Sequence, residues 1–402
     1  MRRIITLSLL LIAGFLSGQQ RTNSEWAMNQ PYVVIISIDG FRYDYAEKFN
    51  AQTLLDIKKS GSSAKSMVPS FPSKTFPNHY TLISGLYPDN HGIVGNSFYS
   101  RSRDLTYKLS SKEMVLDSTW YGGKPIWSLA EENGMLSASF FWVGSESAIM
   151  GYKPTYYKVY DQNVPNEDRT GQVIEWLKMP EETRPHLITL YFSSVDDAGH
   201  QYGPDTNEVR RAVLSLDSLI GDFRKKLIDL NLPITLMVTA DHGMSAVNRG
   251  LAIDDINFRD AVVDVSSTMV MVYHKNQKVL SKIKKEMQQK KLWQVYTKKE
   301  MKEKFGFDND DRVGDLVGLV NPPVHIIKTP RPVSGGTHGY NPNEIAEMHA
   351  IFMLEGPKIR ENYVVPSFKN VNVYPLIAEL LNLPVPEGID GKLEVLRGVI
   401  KE

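Results

Sequence analysis

The chain has 402 residues, of which 42% are hydrophobic, and its 46 basic residues balance its 46 acidic residues. This length suffices for one large domain or two ordinary ones with a substantial buried core. The balanced charge argues against binding to a nucleic-acid duplex or to an acidic membrane surface, because both need a basic patch. Since the chain contains no cysteine, we expect neither a disulfide framework nor an acylated cysteine.

Residues 1–18 have the composition of a secretory signal peptide. Two arginines precede an apolar run from Ile4 to Leu16, and small and polar residues follow it. Because the run is shorter than the ~20 apolar residues of a membrane span, we expect cleavage near Gln19 and no stable membrane anchor. An uncleaved anchor is the alternative. Export without any cysteine indicates a bacterial periplasmic or extracellular protein.

Short apolar runs that end in polar residues recur along the chain and predict buried strands. They occupy 31–40, 186–200, 233–244 and 348–357, with a weaker run at 135–142. Between them lie helical patterns, most clearly at 206–230, where apolar residues recur every 3 to 4 positions at Val209, Val213, Leu216, Ile220 and Phe223. This alternation predicts an α/β fold with a mostly parallel central sheet flanked by helices.

The composition changes between about residues 250 and 335. A lysine-rich stretch with a helical pattern, 278–291, is followed by short strand-like pieces and a segment rich in proline and glycine. We interpret this part as a small α+β subdomain that is inserted into a catalytic domain spanning 30–402. The lysines are interpreted as the solvated face of a helix.

Carboxylates and imidazoles stand where the predicted strands end. Asp39 follows the first strand, Asp196 and His200 lie at the end of the 186–200 run, and Asp241 and His242 end the 233–244 run. Ligands of open α/β sheets bind beyond the carboxyl ends of the strands, so we expect these groups to converge. The four-residue spacing of Asp196 and His200 places both on one side of a helical turn.

Each of these groups alone has an ordinary interpretation. An aspartate at a strand end commonly makes a turn or caps a helix, and His338, in a Gly-rich loop, is by itself more typical of a surface residue. Taken together, the groups are sufficient for two divalent ions, such as zinc, with three protein ligands each.

The segment FPSKTFPNHY, 71–80, contains a candidate nucleophile. Thr75 comes just before a predicted helix, whose N-terminus favours anions. A threonine hydroxyl is a poor nucleophile unless its pKa is lowered, and metal coordination lowers the pKa without a histidine partner. The local alternative is that Thr75 is only the N-cap of this helix.

Four longer motifs occur in order along the chain: FPSKTFPNHYTLISGLYPDNHGIVGNSFY, DDAGHQYGP, TADHGM and GGTHGYNPNEIAEMHAIFMLEGP. They resemble the nucleophile and metal-binding segments of the nucleotide pyrophosphatase/phosphodiesterase family, within the alkaline phosphatase superfamily. The similarity runs from about Tyr32 to Pro386. It implies an alkaline-phosphatase-like fold.

The resemblance also implies a centre of two zinc ions, with each ligand assigned by its motif position. Thr75 would lie between the ions as a further ligand and as the nucleophile. One ion would be bound by Asp39, Asp241 and His242, and the other by Asp196, His200 and His338.

The remaining histidines match no ligand position and are interpreted as structural or surface residues: His79, His91, His186, His274, His325 and His349.

The substrate contacts are likewise implied by the resemblance. Asn96 would donate to a phosphoryl oxygen, with the backbone amide of Phe76 as a second donor. Aromatic residues of a fold this size are usually core residues, yet here they would line a nucleoside pocket. Its members would be Phe76 and Tyr160, which sandwich a base, together with Trp142 and Tyr191.

The sequence departs from the family pattern at two positions. Ser97 stands where some nucleotide-selective members have a lysine that helps to bind extra phosphates, so a preference for triphosphates stays open. Val195 replaces a proline that is frequent before the metal-binding aspartate. Near Thr75 the sequence offers only Lys74 as a cation for the substrate phosphate, which favours diesters over the more highly charged monoesters.

The sequence therefore predicts an exported two-zinc phosphodiesterase. It would release nucleoside 5′-monophosphates from small nucleotide or other phosphodiester substrates through a covalent phosphothreonine. One alternative is a related hydrolase that acts on choline-type glycerophosphodiesters or on phosphomonoesters. A catalytically inactive binding protein is a second alternative, and the complete set of ligand and nucleophile positions argues against it. The sequence does not indicate an oligomeric state.

Overall fold

The computed structural model of the chain describes residues 21–401. The predicted signal peptide, 1–18, and the expected cleavage point near Gln19 lie outside the described residues. Within 21–401, no helix combines the length and the apolar character that crossing a membrane requires.

An eight-stranded sheet forms the centre of the fold. Five of its seven strand pairs are parallel, and the two antiparallel pairs are those made by Phe352–Glu355. In spatial order the strands are Tyr363–Val365, Ser62–Ala64, Phe352–Glu355, Ile234–Thr239, Tyr32–Ile38, Leu187–Phe192, Ser137–Phe140 and Tyr156–Lys158. The predicted α/β fold with a mostly parallel sheet is confirmed.

The strand predicted within 348–357 differs from its parallel neighbours in direction. Phe352 pairs with Thr239, the last residue of the adjacent strand, and Glu355 pairs with Leu236. The chain therefore enters this strand at the carboxyl-terminal edge of the sheet. A strand that starts at that edge has to run antiparallel to its neighbour.

The central strand Tyr32–Ile38 is buried at every position. It hydrogen-bonds to a parallel strand on each side, Leu187–Phe192 and Ile234–Thr239. A continuous run of Val and Ile suits this position, since both faces of the sheet are covered there. All three strands point their carboxyl ends to the same edge, where Asp39 follows the central strand directly and Asp241 follows Ile234–Thr239 after one residue.

Helices accompany the sheet, among them Gln52–Ser60, Thr75–Ser84, Ile126–Glu132, Asn166–Leu177, Ser194–Tyr202, Asn207–Asp229 and Val373–Leu380. The helix predicted over 206–230 spans Asn207–Asp229. Thr206 is its N-cap, and its side chain accepts a hydrogen bond from the amide of Val209. The five apolar residues predicted to face the core are buried, which confirms the helical pattern.

A second, smaller sheet lies within the segment 250–335. Its antiparallel strands follow the order Val262–Val265, Met269–Tyr273, Leu316–Val320 and Trp293–Thr297, with helices Gln277–Gln289 and Lys298–Phe305. The lysine-rich helix buries Leu280, Ile283 and Met287 in a cluster separate from the main core. These features support the predicted α+β insertion. Its bounds and those of the catalytic domain stay predictions.

Candidate active site

The first predicted ligand set lies at the carboxyl ends of two adjacent parallel strands. The Nε2 atom of His242 is 2.8 Å from Asp241 Oδ2 and 3.6 Å from Asp39 Oδ1. All three side chains are buried. The amide of Gly40 donates to Asp241 Oδ1 at 3.2 Å and thereby links the two strand ends.

The second predicted set is formed by a helix and a loop. Asp196 and His200 lie on the helix Ser194–Tyr202, with His200 Nε2 3.4 Å from Asp196 Oδ2. His338 reaches the other oxygen of Asp196, with Nε2 and Oδ1 3.9 Å apart. One ligand atom from each of the three residues falls within 4.8 Å of the others. The four-residue spacing thus does place both helical residues on one side.

The two ligand sets are direct neighbours. Ligand atoms of Asp39, Asp196 and His242, which come from both sets, also lie within 4.8 Å of one another. The rings of His242 and His338 stack with centroids 3.6 Å apart. The structure therefore brings all six predicted ligands into one centre, well inside the ~8 Å beyond which a shared two-ion site would fail.

Glycine is required at position 40, between the two sets. Its φ of +68° lies in the left-handed region, and a Cβ there would lie 2.9 Å from Asp196 Oδ1. The turn after the central strand can therefore bring Asp39 and Asp196 together only because residue 40 has no side chain.

The carboxylates of this centre fit a bound cation. Three oxygens, Asp39 Oδ1, Asp196 Oδ1 and Asp241 Oδ2, are buried and accept no hydrogen bond from residues 21–401. Burial raises the pKa of Asp39 and Asp196 well above the ordinary range, and it raises the pKa of Asp241 to about 7. Adjacent buried carboxylates repel each other, and divalent cations are the usual compensation.

The imidazoles are oriented for metal binding as well. In each of the three, Nδ1 donates to a backbone carbonyl, so that Nε2 carries a lone pair that faces the carboxylates. The acceptors are Gly243 for His242, Ser73 for His338 and Gly336 for His200, at 2.9, 2.9 and 3.0 Å. With Nε2 unprotonated, the 2.8 Å contact between His242 Nε2 and Asp241 Oδ2 places two lone pairs against each other, and they repel. A cation bound by both atoms would remove this repulsion.

Thr75 is the first residue of the helix Thr75–Ser84, and its Oγ1 is 3.4 Å from His242 Nε2. The N-cap of this helix is Lys74. The alternative in which Thr75 serves only as the N-cap is therefore wrong. The hydroxyl lies beside the cluster of predicted ligands at the N-terminal end of the helix, which favours anions.

All three predicted phosphate contacts, Asn96, the Phe76 amide and Lys74, form hydrogen bonds within the protein. The Phe76 amide donates to Asn96 Oδ1 at 2.9 Å, which fixes the carboxamide with its amino group free to donate elsewhere. To act also as a second donor to a phosphoryl oxygen, the Phe76 amide would have to share its hydrogen between Asn96 Oδ1 and the substrate. Lys74 is 7% exposed, and its Nζ donates to His338 O at 2.6 Å and to Ser267 Oγ at 2.7 Å. Lys74 is therefore bound to protein partners, and it does not line the cleft described next.

A cleft of about 470 Å³ opens at Asp39, Thr75 and Asp196. Its walls include Asn96 and all four predicted aromatic residues, Phe76, Trp142, Tyr160 and Tyr191. The Tyr191 hydroxyl donates to Asp39 Oδ2 at 2.7 Å, so that one aromatic wall is tied to the ligand cluster.

Three further residues lie around the cleft: His79, Phe141 and Glu146. His79 contacts Asp241, but its Nδ1 donates to Thr75 O and its Nε2 accepts from Ser37, so its interpretation as a structural residue fits these contacts. Its four-residue spacing from Thr75 on the helix Thr75–Ser84 was the available signal. Phe141 and Glu146 also line the cleft, and no separate pattern marked them.

An α/β sheet that carries carboxylates, imidazoles and a hydroxyl to one edge, beside a cleft, has the groups that a metal-dependent hydrolase needs. The family model for type I phosphodiesterase/nucleotide pyrophosphatase matches residues 33–341, and the chain belongs to this family. The family is metal-dependent.

Characterised relatives and solved structures agree with this assignment. The chain is 33% identical over 390 residues to human ectonucleotide pyrophosphatase/phosphodiesterase family member 1, covering 91% of this chain and 42% of the relative. It is 33% identical over 387 residues to the venom phosphodiesterase of Naja atra, covering 92% and 46%. The chain thus spans less than half the length of these curated relatives.

Solved structures of murine ENPP5 match almost the whole chain. One has a TM-score of 0.85 at 30% identity and covers 92% of this chain and 100% of the murine chain. Another is an inactive threonine-to-alanine variant in complex with AMP, with a TM-score of 0.86, 29% identity and the same two coverages.

Proposed function

We propose that the chain hydrolyses phosphodiester or pyrophosphate bonds of small nucleotide substrates and releases nucleoside 5′-monophosphates. The observation that carries this proposal is the position of the Thr75 hydroxyl, which lies beside six converging ligands and lines an aromatic cleft. Phosphodiesterase relatives at 33% identity support the reaction class.

Two zinc ions suit the ligand types of this centre. Asp39, Asp241 and His242 would hold one ion, and Asp196, His200 and His338 the other. Mixed carboxylate and imidazole ligands are typical of zinc. When bound, the ions supply positive charge that polarises the phosphoryl group and stabilises the attacking and leaving oxygens.

The protein contributes the nucleophile and its surroundings. The Thr75 Oγ1 forms a bond to phosphorus while the bond from phosphorus to the leaving oxygen breaks, and the hydroxyl proton passes to the solvent or to the leaving oxygen. The nucleoside 5′-phosphoryl group is then esterified to Thr75. Water then cleaves this adduct and releases the monophosphate. The amino group of Asn96 donates to a phosphoryl oxygen, and the N-terminus of the helix Thr75–Ser84 favours the negative charge. The inactive threonine variant of murine ENPP5 supports a threonine in this role.

Substrate class is tested by comparing three chromogenic substrates. We expect p-nitrophenyl-TMP to be hydrolysed with at least ~10-fold higher kcat/KM than p-nitrophenyl phosphate. The monoester carries about one more negative charge, and the nearby Lys74 is held by protein partners. The third substrate, p-nitrophenyl phosphorylcholine, represents the lipid-headgroup alternative. Preference for either of the other two substrates would contradict the nucleotide assignment.

The aromatic cleft should recognise the nucleobase. We expect Phe76→Ala or Tyr160→Ala to lower kcat/KM for p-nitrophenyl-TMP by ~5- to 150-fold, because stacking is worth ~1 to 3 kcal/mol per base. AMP bound to murine ENPP5 supports a nucleotide in the equivalent fold. The measurement is steady-state kinetics of each variant.

Two controls distinguish stacking of these rings on the nucleobase from a purely structural role of the rings in the core. Tyr157→Ala removes a nearby exposed ring that does not line the cleft, and it should leave the kinetics unchanged. Hydrolysis of bis-p-nitrophenyl phosphate, which has no nucleobase, should barely respond to Phe76→Ala or Tyr160→Ala. Equal losses on both substrates would identify the two rings as core residues.

We also infer that the protein is exported, as the N-terminal sequence predicts. Relatives named as ecto-enzymes and venom enzymes support a location outside the cytoplasm.

A further inference from the structure

The segment that leads to the candidate nucleophile is hydrogen-bonded to the loop that carries His338. The carbonyl of Ser73 accepts from His338 Nδ1 at 2.9 Å. The Ser73 hydroxyl accepts from the amide of Gly339 at 3.1 Å and donates to Tyr340 O at 2.8 Å. Ser73 is fully buried. These bonds hold both the ring of His338 and the backbone that follows it against the residue two positions before Thr75.

A buried ammonium group makes a second connection between the same two segments. Lys74 directly precedes Thr75, and its Nζ donates to His338 O at 2.6 Å. Gly339 leaves room for this amine. Its φ of +113° lies in the left-handed region, and a Cβ there would lie 2.8 Å from Lys74 Nζ. The chain neighbour of the candidate nucleophile thus binds the backbone of a predicted metal ligand.

The ammonium is anchored from the inserted sheet. The Nζ of Lys74 also donates to Ser267 Oγ at 2.7 Å. Ser267 lies in the turn between the strands Val262–Val265 and Met269–Tyr273. Its Oγ accepts a further hydrogen bond, at 2.9 Å, from the hydroxyl of Thr337, which belongs to the metal-ligand loop. One hydroxyl of the insertion therefore contacts both the nucleophile segment and that loop.

These contacts lie outside the substrate cleft, since neither Lys74 nor Ser267 lines it. A buried charged donor is costly to leave without acceptors, so the two acceptors fix the position of the Lys74 ammonium. Loss of a group that orients a metal ligand typically weakens metal binding by ~10- to 100-fold. Displacement of a reacting group by about 1 Å can cost ~10²-fold in rate. The network can therefore affect the reaction without contact to the substrate.

We propose that Ser267 and Lys74 are positioning residues for the reaction assigned above. Ser267 holds the Lys74 ammonium, and the ammonium holds the carbonyl of His338. The inserted sheet thereby fixes the distance between Thr75 and the second predicted ligand set. This inference rests on the proposed function, because it assigns a role to the surroundings of the same nucleophile and ligands.

The decisive variant is Ser267→Ala, because it removes the anchor and keeps every charge of the centre. We expect kcat for p-nitrophenyl-TMP to fall ~10-fold and KM to stay within about twofold, since Ser267 does not line the cleft. Zinc binding is measured on the zinc-loaded full chain by competition with the chromophoric chelator 4-(2-pyridylazo)resorcinol. One of the two zinc Kd values should rise ~10-fold, and the other should change little.

Two further variants make the test specific. Ser266→Ala is the matched control from the same turn, because within residues 21–401 the Ser266 hydroxyl bonds only to the backbone of Met269. It should keep the wild-type kcat and both zinc Kd values. In the Lys74→Met background, Ser267→Ala should lower kcat by less than ~3-fold, because the ammonium that it anchors is already absent.

Unchanged kcat and zinc Kd values in Ser267→Ala overturn the proposal, even if the variant unfolds at a lower temperature, because Ser267 would then be only structural. Losses of Ser267→Ala and Lys74→Met that multiply fully in the double variant overturn it as well. A wild-type enzyme that did not hydrolyse p-nitrophenyl-TMP would contradict the proposed function instead. The zinc Kd values of Ser267→Ala would still decide this inference.

Discussion

Thr75→Ala is expected to reduce turnover of p-nitrophenyl-TMP by at least ~10³-fold, because it removes the proposed nucleophile. The fold and most of the zinc should remain. The helix Thr75–Ser84 is capped at Lys74 without a side-chain hydrogen bond, so the substitution removes no cap. The six carboxylate and imidazole ligands are also unchanged. Steady-state kinetics and metal analysis of the same preparation check both parts.

Thr75→Ser is the matched control, since it keeps a hydroxyl at the same position and should retain partial activity. Rapid acid quenching of the wild-type enzyme during turnover of p-nitrophenyl-TMP should trap the thymidine 5′-phosphoryl group on Thr75, and this adduct should be absent from the alanine variant. A wild-type kcat in Thr75→Ala would show that water attacks the phosphorus directly, and the covalent mechanism would be wrong.

The sequence indicated most of the ligand cluster for a simple structural reason. Asp39 directly follows the strand Tyr32–Ile38, and Asp241 stands two residues after the strand Ile234–Thr239. Both strands are predominantly apolar runs, and parallel strands end at one edge. Asp196 and His200 share a helical face through their spacing. His338 had no such relation to the others. Its position depends on a loop that returns from the insertion, and the family motif alone indicated it.

The direction of side chains next to the cleft could not be predicted. Lys74 is adjacent to Thr75 in sequence, which suggested a phosphate contact. Its ammonium instead donates to Ser267 and to the carbonyl of His338, residues distant in the chain. Burial of this amine lowers its pKa to about 7. Such partners follow from tertiary packing, and no local pattern encodes them.

A similar limit applies to the floor of the aromatic cleft. The buried guanidinium of Arg169 donates to Tyr191 O at 2.9 Å and lies over the ring of Phe141 at 5.0 Å. It supports two cleft residues from a helix that carries no recognisable motif.

In the sheet, the strands Ser62–Ala64, Tyr156–Lys158 and Tyr363–Val365 were missed because three residues are too few to show alternation.

Removal of a single predicted metal ligand should lower turnover as much as removal of the proposed nucleophile does. His338→Ala and Asp241→Asn each delete one ligand from a different predicted set. We expect each variant to bind about one zinc ion per chain instead of two, because two remaining protein ligands hold an ion weakly. Turnover should fall by at least ~10³-fold, since the charge that stabilises the attacking or leaving oxygen is lost. Metal analysis after dialysis measures the stoichiometry.

His325→Ala is the matched control for this experiment. His325 is a half-buried histidine outside the groups of potential metal ligands found within 21–401, so its variant should keep two ions and near-normal turnover. The double variant His338→Ala/Asp241→Asn should bind almost no zinc, because each set has lost a ligand.

Chelation of the wild-type enzyme should abolish turnover, and added zinc should restore it. If His338→Ala retained both ions at wild-type affinity, the assignment of His338 would be wrong. If chelation left turnover unchanged, catalysis would not depend on the metal, although the buried, unpaired oxygens of Asp39, Asp196 and Asp241 would still require a compensating charge.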